Sequence, residues 1–324
     1  MTWLVTGGAG YIGAHVVRAL LGAGHDVVVV DDLSSGHHEF LPPGTPFAAG
    51  SILDGGMLLR TLRDHEVRGV IHLAGFKYAG VSVERPLHTY EQNVDGTSVL
   101  LAAMQEAGVD RIVFSSSAAV YGTPDVDLVT EQTPAAPQSP YGETKLIGEW
   151  LMRDQEIATG LRHTSLRYFN VVGSGSPEIA DTSPYNLFPL VFTALAEGRA
   201  PAIFGDDYPT PDGTAVRDYV HVADIADAHV AAARRLDAGE PLERTYNLGS
   251  GDGVSVAQIM AAMARVTGIA FEPERAPRRP GDPPRIVASG ELAARDLGWT
   301  MRHTLDEMVA SAWKADRASR AARA

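Results

Sequence analysis

The stretch TGGAGYIG (6–13) follows a short apolar run, WLV (3–5), and opens a helical pattern over about 11–23. A chain that leaves a strand, turns on glycines and enters a helix so quickly has few folds open to it. Two glycine spacings overlap there, Gly8-x-Gly10-x-x-Gly13 and Gly7-x-x-Gly10-x-x-Gly13. Positions without a side chain let the backbone approach a pyrophosphate and aim the helix N-terminus at it, where free amides and the helix dipole favour an anion. The next run, VVVV (27–30), ends in Asp31 and Asp32, 18 and 19 residues beyond Gly13. A carboxylate there accepts hydrogen bonds from the hydroxyls of an adenosine ribose and repels a 2′-phosphate. No arginine follows Asp32 to offset that repulsion. The turn therefore predicts a dinucleotide site that takes NAD in preference to NADP.

Further apolar runs recur at GVIHL (69–73), RIVFS (111–115) and HTSLRYF (163–169), with helical patterns between them at about 54–66, 86–107 and 141–159. Runs that are apolar on both faces read as strands buried on both sides, the mark of a parallel sheet. Strand–helix alternation of this kind predicts an α/β fold: a doubly wound parallel-sheet Rossmann domain over 1–170, joined by some segments returning from the second half. The remainder, mainly 171–324, is expected to be a smaller mixed α/β domain for the substrate. Its loops GSGSPEIADTSPYN (173–186), FGDDYPTPDGT (204–214) and PRRPGDPP (277–284) are too long and polar for simple connections, and such loops carry binding groups. The tail ADRASRAARA (315–324) is expected to be a frayed, solvated helix end.

Charge narrows the partners. The 27 Lys+Arg against 40 Asp+Glu leave a net charge of −13, which argues against nucleic acid and anionic membranes but leaves room for a local basic pocket. The chain has no cysteine, so disulfides, thiol nucleophiles and thiolate metal sites are excluded. Its eleven histidines are scattered without ligand spacing, and no metal is expected. There is no charged leader region and no apolar run near the ~18 residues of a membrane span, so a cytoplasmic location is expected.

The stretch SPYGETK (139–145) places Tyr141 and Lys145 four apart, on one face of a helix. A phenol with an ordinary pKa near 10 is a poor base at neutral pH. A neighbouring ammonium and a positively charged nicotinamide ring are expected to lower that value. The phenolate can then take a proton from a sugar hydroxyl while the adjoining carbon gives up hydride. FSSSAAVYG (114–122) sets three serines at the carboxyl end of a strand, beside the cofactor crevice, where a hydroxyl can hold the reacting oxygen and relay its proton.

TGGAGYIG, SSSAAVYG and YGETK together resemble the extended short-chain dehydrogenase/reductase superfamily. FKYAGVSVERPL (76–87), LRYFNVVG (166–173), AIFGDDYPTPDGTAVRDYVHV (202–222), YNLGSG (246–251) and APRRPGD (276–282) carry the likeness to the UDP-glucose 4-epimerase family over nearly the whole chain. That resemblance implies Ser117, Tyr141 and Lys145 as the catalytic group, with Tyr141 the base. For the cofactor it implies Gly7, Gly10, Tyr11, Ile12 and Gly13 in the turn and Asp31, Asp32, Leu33 and Ser34 after the second strand. It adds Ser51 and Ile52, then Leu73, Ala74, Gly75 and Lys77, with Asn93 behind the cofactor, and Ser115, Tyr141, Lys145 and Tyr168 by the nicotinamide. For a UDP-sugar it implies Lys77, Ser117, Tyr141, Asn170, Asn186, Leu187, Ala202, Phe204, Arg217, Tyr219, Arg279 and Asp282. Two arginines suit a diphosphate and an aspartate a ribose diol.

Two positions depart from the family. Ser51 stands where an adenine-binding aspartate is common. Ile286 stands where a tyrosine or a smaller residue closes the sugar pocket, the smaller choice admitting N-acetylated sugars. The activity implied is NAD-dependent interconversion of UDP-glucose and UDP-galactose through a 4-keto sugar, with UDP-N-acetylglucosamine or UDP-pentose 4-epimerisation as the alternative. Ala118 and Ala119 take the place of the acidic residues that related dehydratases and decarboxylases need. A net oxidoreductase would release reduced cofactor, and a non-catalytic NAD sensor has no use for Tyr141 with Lys145. The resemblance also implies a homodimer formed through the helices at about 86–107 and 141–159.

Overall fold

The computed structural model describes residues 1–279 and 282–323. The first half alternates as the apolar runs predict. Its strands are β1 (Thr2–Thr6), β2 (Asp26–Asp31), β3 (Phe47–Ala49), β4 (Gly69–His72), β5 (Arg111–Ser115) and β6 (Arg162–Tyr168). Its helices are α1 (Tyr11–Gly22), α2 (Gly55–Asp64), α3 (Ala79–Glu84), α4 (Pro86–Tyr90), α5 (Gly96–Ala107) and α6 (Pro140–Thr159). The second half adds the short strands β7 (Asn170–Val172), β8 (Ala202–Phe204), β9 (Val216–Arg217), β10 (Tyr219–His221), β11 (Thr245–Leu248), β12 (Val254–Ser255), β13 (Glu274–Ala276) and β14 (Arg285–Ile286). Between them lie α7 (Leu187–Ala196), α8 (Val222–Ala238), α9 (Val256–Thr267), α10 (Glu291–Leu297) and α11 (Leu305–Arg323). No helix among the described residues is long and apolar enough to cross a membrane.

Seven strands form a parallel sheet in the order β11-β6-β5-β4-β1-β2-β3. Alternate residues of β1 and β2 point to opposite faces, and both faces are covered. Trp3, Val5, Val27 and Val29 pack with Val17 and Leu20 of α1 and Ile225 and Ala232 of α8. Leu4, Val28 and Val30 pack with Leu58 and Leu62 of α2 and Leu100 and Met104 of α5. The order reverses between β1 and β4, so the carboxyl ends of those strands flank the crevice in which such folds bind ligands. A separate core gathers Phe188, Phe192, Ile203, Ile259, Met263 and Met308 from α7, β8, α9 and α11 beside the crevice.

Two local patterns differ from expectation. The helix predicted over 86–107 is interrupted by a π-turn at Glu91–Asp95. Asn93 sits inside that turn, buried, and bonds both backbone groups of Phe76, accepting from its amide (2.6 Å) and donating to its carbonyl (3.0 Å). Widening a helical turn in this way is how a single side chain is pushed inward. The tail is docked as far as Arg320 rather than frayed: Ala315 is fully buried, and Arg320 donates to the Thr193 hydroxyl of α7 (3.0 Å) and to Asp316 (2.7 Å), while Ala321 and Ala322 are exposed and Ala324 lies outside the described residues.

Candidate active site

A cleft of about 760 Å³ opens over the carboxyl ends of the sheet strands and runs between the two cores. Five cationic side chains, Lys77, Arg85, Lys145, Arg217 and Arg279, face four aspartates, Asp31, Asp32, Asp181 and Asp282. A chain that is strongly acidic overall thus gathers a slight positive excess here, as an anionic ligand requires.

The glycine turn forms the floor. A Cβ on Gly13 would lie 2.1 Å from the Gly7 carbonyl oxygen, and one on Gly7, whose φ is +69°, would lie 2.7 Å from the Ala74 amide. The turn closes this tightly only because those side chains are missing. No side chain caps α1, and its first turn holds no acid, so its N-terminus remains open to an anion. Asp31 is buried at the end of β2 and accepts from the amides of Ala9 (3.0 Å) and Leu33 (2.8 Å). Burial raises its carboxyl above the ordinary value, and these two amide bonds oppose the rise. The arrangement fits a dinucleotide: open helix amides for a diphosphate, and a fixed carboxylate for a ribose.

The second wall comes from β5 and α6. Ser139 caps α6 by accepting from the Gly142 amide (3.2 Å), with Pro140 in the first turn. A Cβ on Gly142 would lie 2.5 Å from the Ala119 carbonyl oxygen, and one on Gly148 would lie 2.4 Å from the Phe114 ring. The glycines therefore let α6 press against the serine segment, which brings Tyr141 and Lys145 to Ser115 and Ser117. Lys145 is buried and donates to the Ser115 carbonyl (2.8 Å), with its Nζ 5.8 Å from the centre of the Tyr141 ring. Burial pulls its pKa down to about 8, and Glu149 one turn further along α6 opposes the shift.

The Tyr141 phenol departs from expectation. Burial raises its pKa above the ordinary value, and the Ser117 hydroxyl is what lowers it in part. Lys145 directs its ammonium to a backbone carbonyl, so desolvation outweighs the cation that spacing alone suggests. Behind this wall, Arg167 clamps Glu149 with two bonds (2.8 and 2.5 Å), Ser116 donates to the same carboxylate (2.6 Å), and Arg167 also reaches the Tyr121 hydroxyl (2.7 Å). Neither Glu149 nor Arg167 entered the sequence reading, although Glu149 lies four residues after Lys145 on the helix. Tyr168, beside Tyr141, is likewise raised by burial.

The far wall carries Asn170, Asn186, Leu187, Ala202, Phe204, Arg217, Tyr219, Arg279 and Asp282, all lining the same cleft. Arg217 forms an ion pair with Asp282 and donates to its neighbour's carbonyl at Val216 (2.8 Å). The Arg279 guanidinium lies 4.2 Å from the centre of the Phe204 ring. Gly10, Tyr11, Ile12, Asp32, Ser34, Ile52, Leu73, Ala74, Gly75, Lys77 and Tyr168 line the cofactor end. Five expected residues stand outside the lining. Leu33 contributes its amide to Asp31, and Ser51 accepts from the Leu53 amide (3.2 Å). Asn93 lies behind Phe76, and the Ser115 hydroxyl meets His229 Nε2 (2.9 Å). Ile286 sits on β14 opposite Arg217 of β9, where its carbonyl accepts from the Asp218 amide (3.1 Å). In the other direction, Tyr78, Arg85, His88, Gln92, Asp181 and Tyr185 line the cleft without having been singled out. The long polar loop 173–186 was the signal for Asp181 and Tyr185.

Comparison with known proteins identifies the chain's relatives. Residues 3–249 match the model of the NAD dependent epimerase/dehydratase family. The chain is 45% identical to a UDP-glucose 4-epimerase of Azospirillum brasilense, over 95% of this chain and 90% of that protein. A UDP-glucose 4-epimerase of Brucella ovis solved in complex with NAD superposes with a TM-score of 0.93 at 39% identity, covering 96% and 97% of the two chains. A UDP-glucose-4-epimerase of Stenotrophomonas maltophila, solved with bound NAD and formylated UDP-arabinopyranose, reaches a TM-score of 0.94 at 40% identity over 99% of each chain. The chain belongs to the NAD-dependent epimerase/dehydratase family, in its UDP-glucose 4-epimerase branch.

Proposed function

We propose that this protein is an NAD-dependent UDP-glucose 4-epimerase, an isomerase that interconverts UDP-glucose and UDP-galactose. The observation that carries the reading is the convergence, on one cleft, of the glycine turn, the Ser117/Tyr141/Lys145 group and the Arg217/Arg279/Asp282 group. Bound NAD supplies a hydride acceptor and donor, and its oxidised ring supplies a positive charge. Tyr141 takes the proton of the sugar C4 hydroxyl as C4 is oxidised to a ketone, and returns it when C4 is reduced on the opposite face. Ser117 holds the reacting oxygen and shares its proton with Tyr141. Lys145 orients the nicotinamide ribose and keeps a cation beside the phenol.

Inversion requires the sugar to turn while its nucleotide stays in place. Arg217 and Arg279 hold the diphosphate by charge-assisted bonds, and Asp282, released by Arg217, takes the uridine ribose. A homodimer through α4, α5 and α6 completes the reading. Its support is the exposure of Leu87 (84%), Trp150 (47%) and Ile157 (75%) on α4 and α6.

The test is product analysis of purified protein incubated separately with UDP-glucose, UDP-N-acetylglucosamine and a UDP-pentose, without added cofactor. The expected result is UDP-galactose from UDP-glucose, with no net build-up of reduced nicotinamide. An NAD-loaded protein that forms no C4 epimer, or that releases reduced cofactor in step with product, overturns the proposal.

A further inference from the structure

Two tyrosines that the dinucleotide fingerprint does not require meet at the mouth of the cleft. Tyr78 follows Lys77 on the segment between β4 and α3, and Tyr185 precedes Asn186 on the loop leading into α7. Their rings stand edge to face, 4.9 Å between centres at 65°, and both line the cleft. Tyr185 is 55% exposed, so the contact closes an opening rather than filling a core.

The loop bearing Tyr185 is braced on both sides. Near its start the Tyr11 hydroxyl, in the first turn of α1, donates to the Gly173 carbonyl (2.5 Å). Near its end Asp181 accepts from the Ser183 amide (3.0 Å) and the Asn186 side-chain amide (2.7 Å). The side on which the rings meet follows from their neighbours. The Lys77 Nζ lies 5.5 Å from the Tyr78 ring centre; burial lowers its pKa, opposed by Asp181 from the loop and Asp31 from the cofactor floor. Ile179 of the same loop packs with Tyr11 and Ala14 of α1, beside the glycine turn. The ring pair thus spans the part of the cleft bordered by the glycine turn.

We propose that Tyr78 and Tyr185, with Asp181 bracing the loop, form an outer wall of the dinucleotide site that slows escape of the bound NAD. An epimerase needs that retention because the hydride taken from a sugar must go back to the same sugar. The proposal rests on the reading that NAD occupies the glycine-turn end of the cleft.

The test measures NAD per chain in the isolated protein, and the rate at which bound NAD exchanges with isotopically labelled NAD, for Tyr78→Ala, Tyr185→Ala, the double variant and Tyr185→Phe. Loss of one edge-to-face pair is expected to speed exchange about three- to tenfold. The two single effects are expected not to add in the double variant, because each alanine removes the Tyr78–Tyr185 contact, while Tyr78→Ala also loses the contacts of its ring with Phe76 and the Lys77 ammonium. Tyr185→Phe keeps the ring and is expected to exchange at the wild-type rate. Thermal unfolding is recorded alongside, and a half-exposed residue is expected to leave it unmoved. Wild-type exchange in both alanine variants, or additive effects of the two, overturns the proposal. So does weakened UDP binding with unchanged NAD exchange, which assigns the pair to the nucleotide-sugar instead. A wild-type protein that binds no NAD fails the underlying reading first.

Discussion

The cofactor end of the cleft and its nucleotide-sugar end hold their charged groups differently. At the cofactor end, Asp31 is fixed by two backbone amides, Lys145 by a backbone carbonyl, and Glu149 behind it by a two-bond clamp from Arg167. At the other end Arg217 pairs with Asp282, and Arg279 rests on a partly exposed phenylalanine. The first arrangement is already in the form a ligand needs, and little ordering remains when one binds. The second must exchange an internal ion pair for bonds to the ligand. A cofactor kept through many turnovers suits the first kind of wall, and a substrate that must come and go suits the second.

Tyr141→Phe strikes the preorganised wall where it acts chemically. Turnover is expected to fall about 10²–10⁴-fold, the usual worth of a general acid–base group, while NAD content and UDP binding stay as in the wild type. A variant within tenfold of wild-type kcat removes Tyr141 from the mechanism. On the opposite wall, Arg217→Ala is expected to raise KM for UDP-glucose about 10–100-fold without changing NAD content, because a charge-assisted bond is lost. Asp282→Asn removes the uridine-ribose acceptor but also spares the exchange of the ion pair, so its KM is expected to rise less than that of Arg217→Ala. An Asp282→Asn KM as high as that of Arg217→Ala breaks the account of the exchanged ion pair.

Lys145→Met sharpens the contrast through stability. Burial sets Lys145 at about 8, below its ordinary 10.5, so the fold bears the desolvated ammonium in full below about pH 8. That burden is relieved as pH rises from about 8 to 10.5. Methionine at 145 is therefore expected to raise the unfolding free energy at neutral pH by about 1–3 kcal/mol, an advantage gone near pH 10.5, while turnover is lost. Denaturant melts at several pH values check the sign, and a destabilised variant at pH 7 refutes it. The smallest effect is expected on the loop between β8 and β9. The Tyr208 hydroxyl is buried with no hydrogen-bond partner among the described residues, under the Arg278 guanidinium 4.2 Å from its ring centre. Tyr208→Phe is expected to stabilise the protein by about 1 kcal/mol, read from the same melts. A loss of stability would mean that the hydroxyl is bonded in solution.

The parts of this molecule that were legible in sequence are those where the signal is local. The runs WLV, VVVV and RIVFS name strands because both faces of the sheet are covered, and the glycine turn names its own ligand through close backbone approach. Tyr141 and Lys145 share a face because four residues make about one turn. What escaped notice depends on the surroundings of each group. The upward shift of the Tyr141 phenol is set by burial, which spacing does not report. The Arg217–Asp282 pair and the Tyr78–Tyr185 contact join segments far apart in the chain. The π-turn at 91–95 follows from Asn93 reaching Phe76, a pairing no periodicity encodes.

The return of β11 and α8 to the central sheet has a consequence for how the chain emerges during synthesis. Six sheet strands are complete once residue 168 has been made, yet β6 then presents an unpaired edge until Thr245–Leu248 arrives. Trp3 near the very start of the chain waits for Asp237 of α8, to which its indole N–H donates, and Arg111 of β5 waits for the same carboxylate. Until α8 docks, the row of Trp3, Val5, Val29 and Leu20 lacks Ile225, Ala228 and Ala232. A nascent chain of about half length is therefore an open sheet with a bare apolar face, the kind of species that associates with its neighbours. Residues 1–170 carry the glycine turn and the catalytic group, but expressed by themselves they are expected to aggregate. The ribosome must deliver the second half before the first can close.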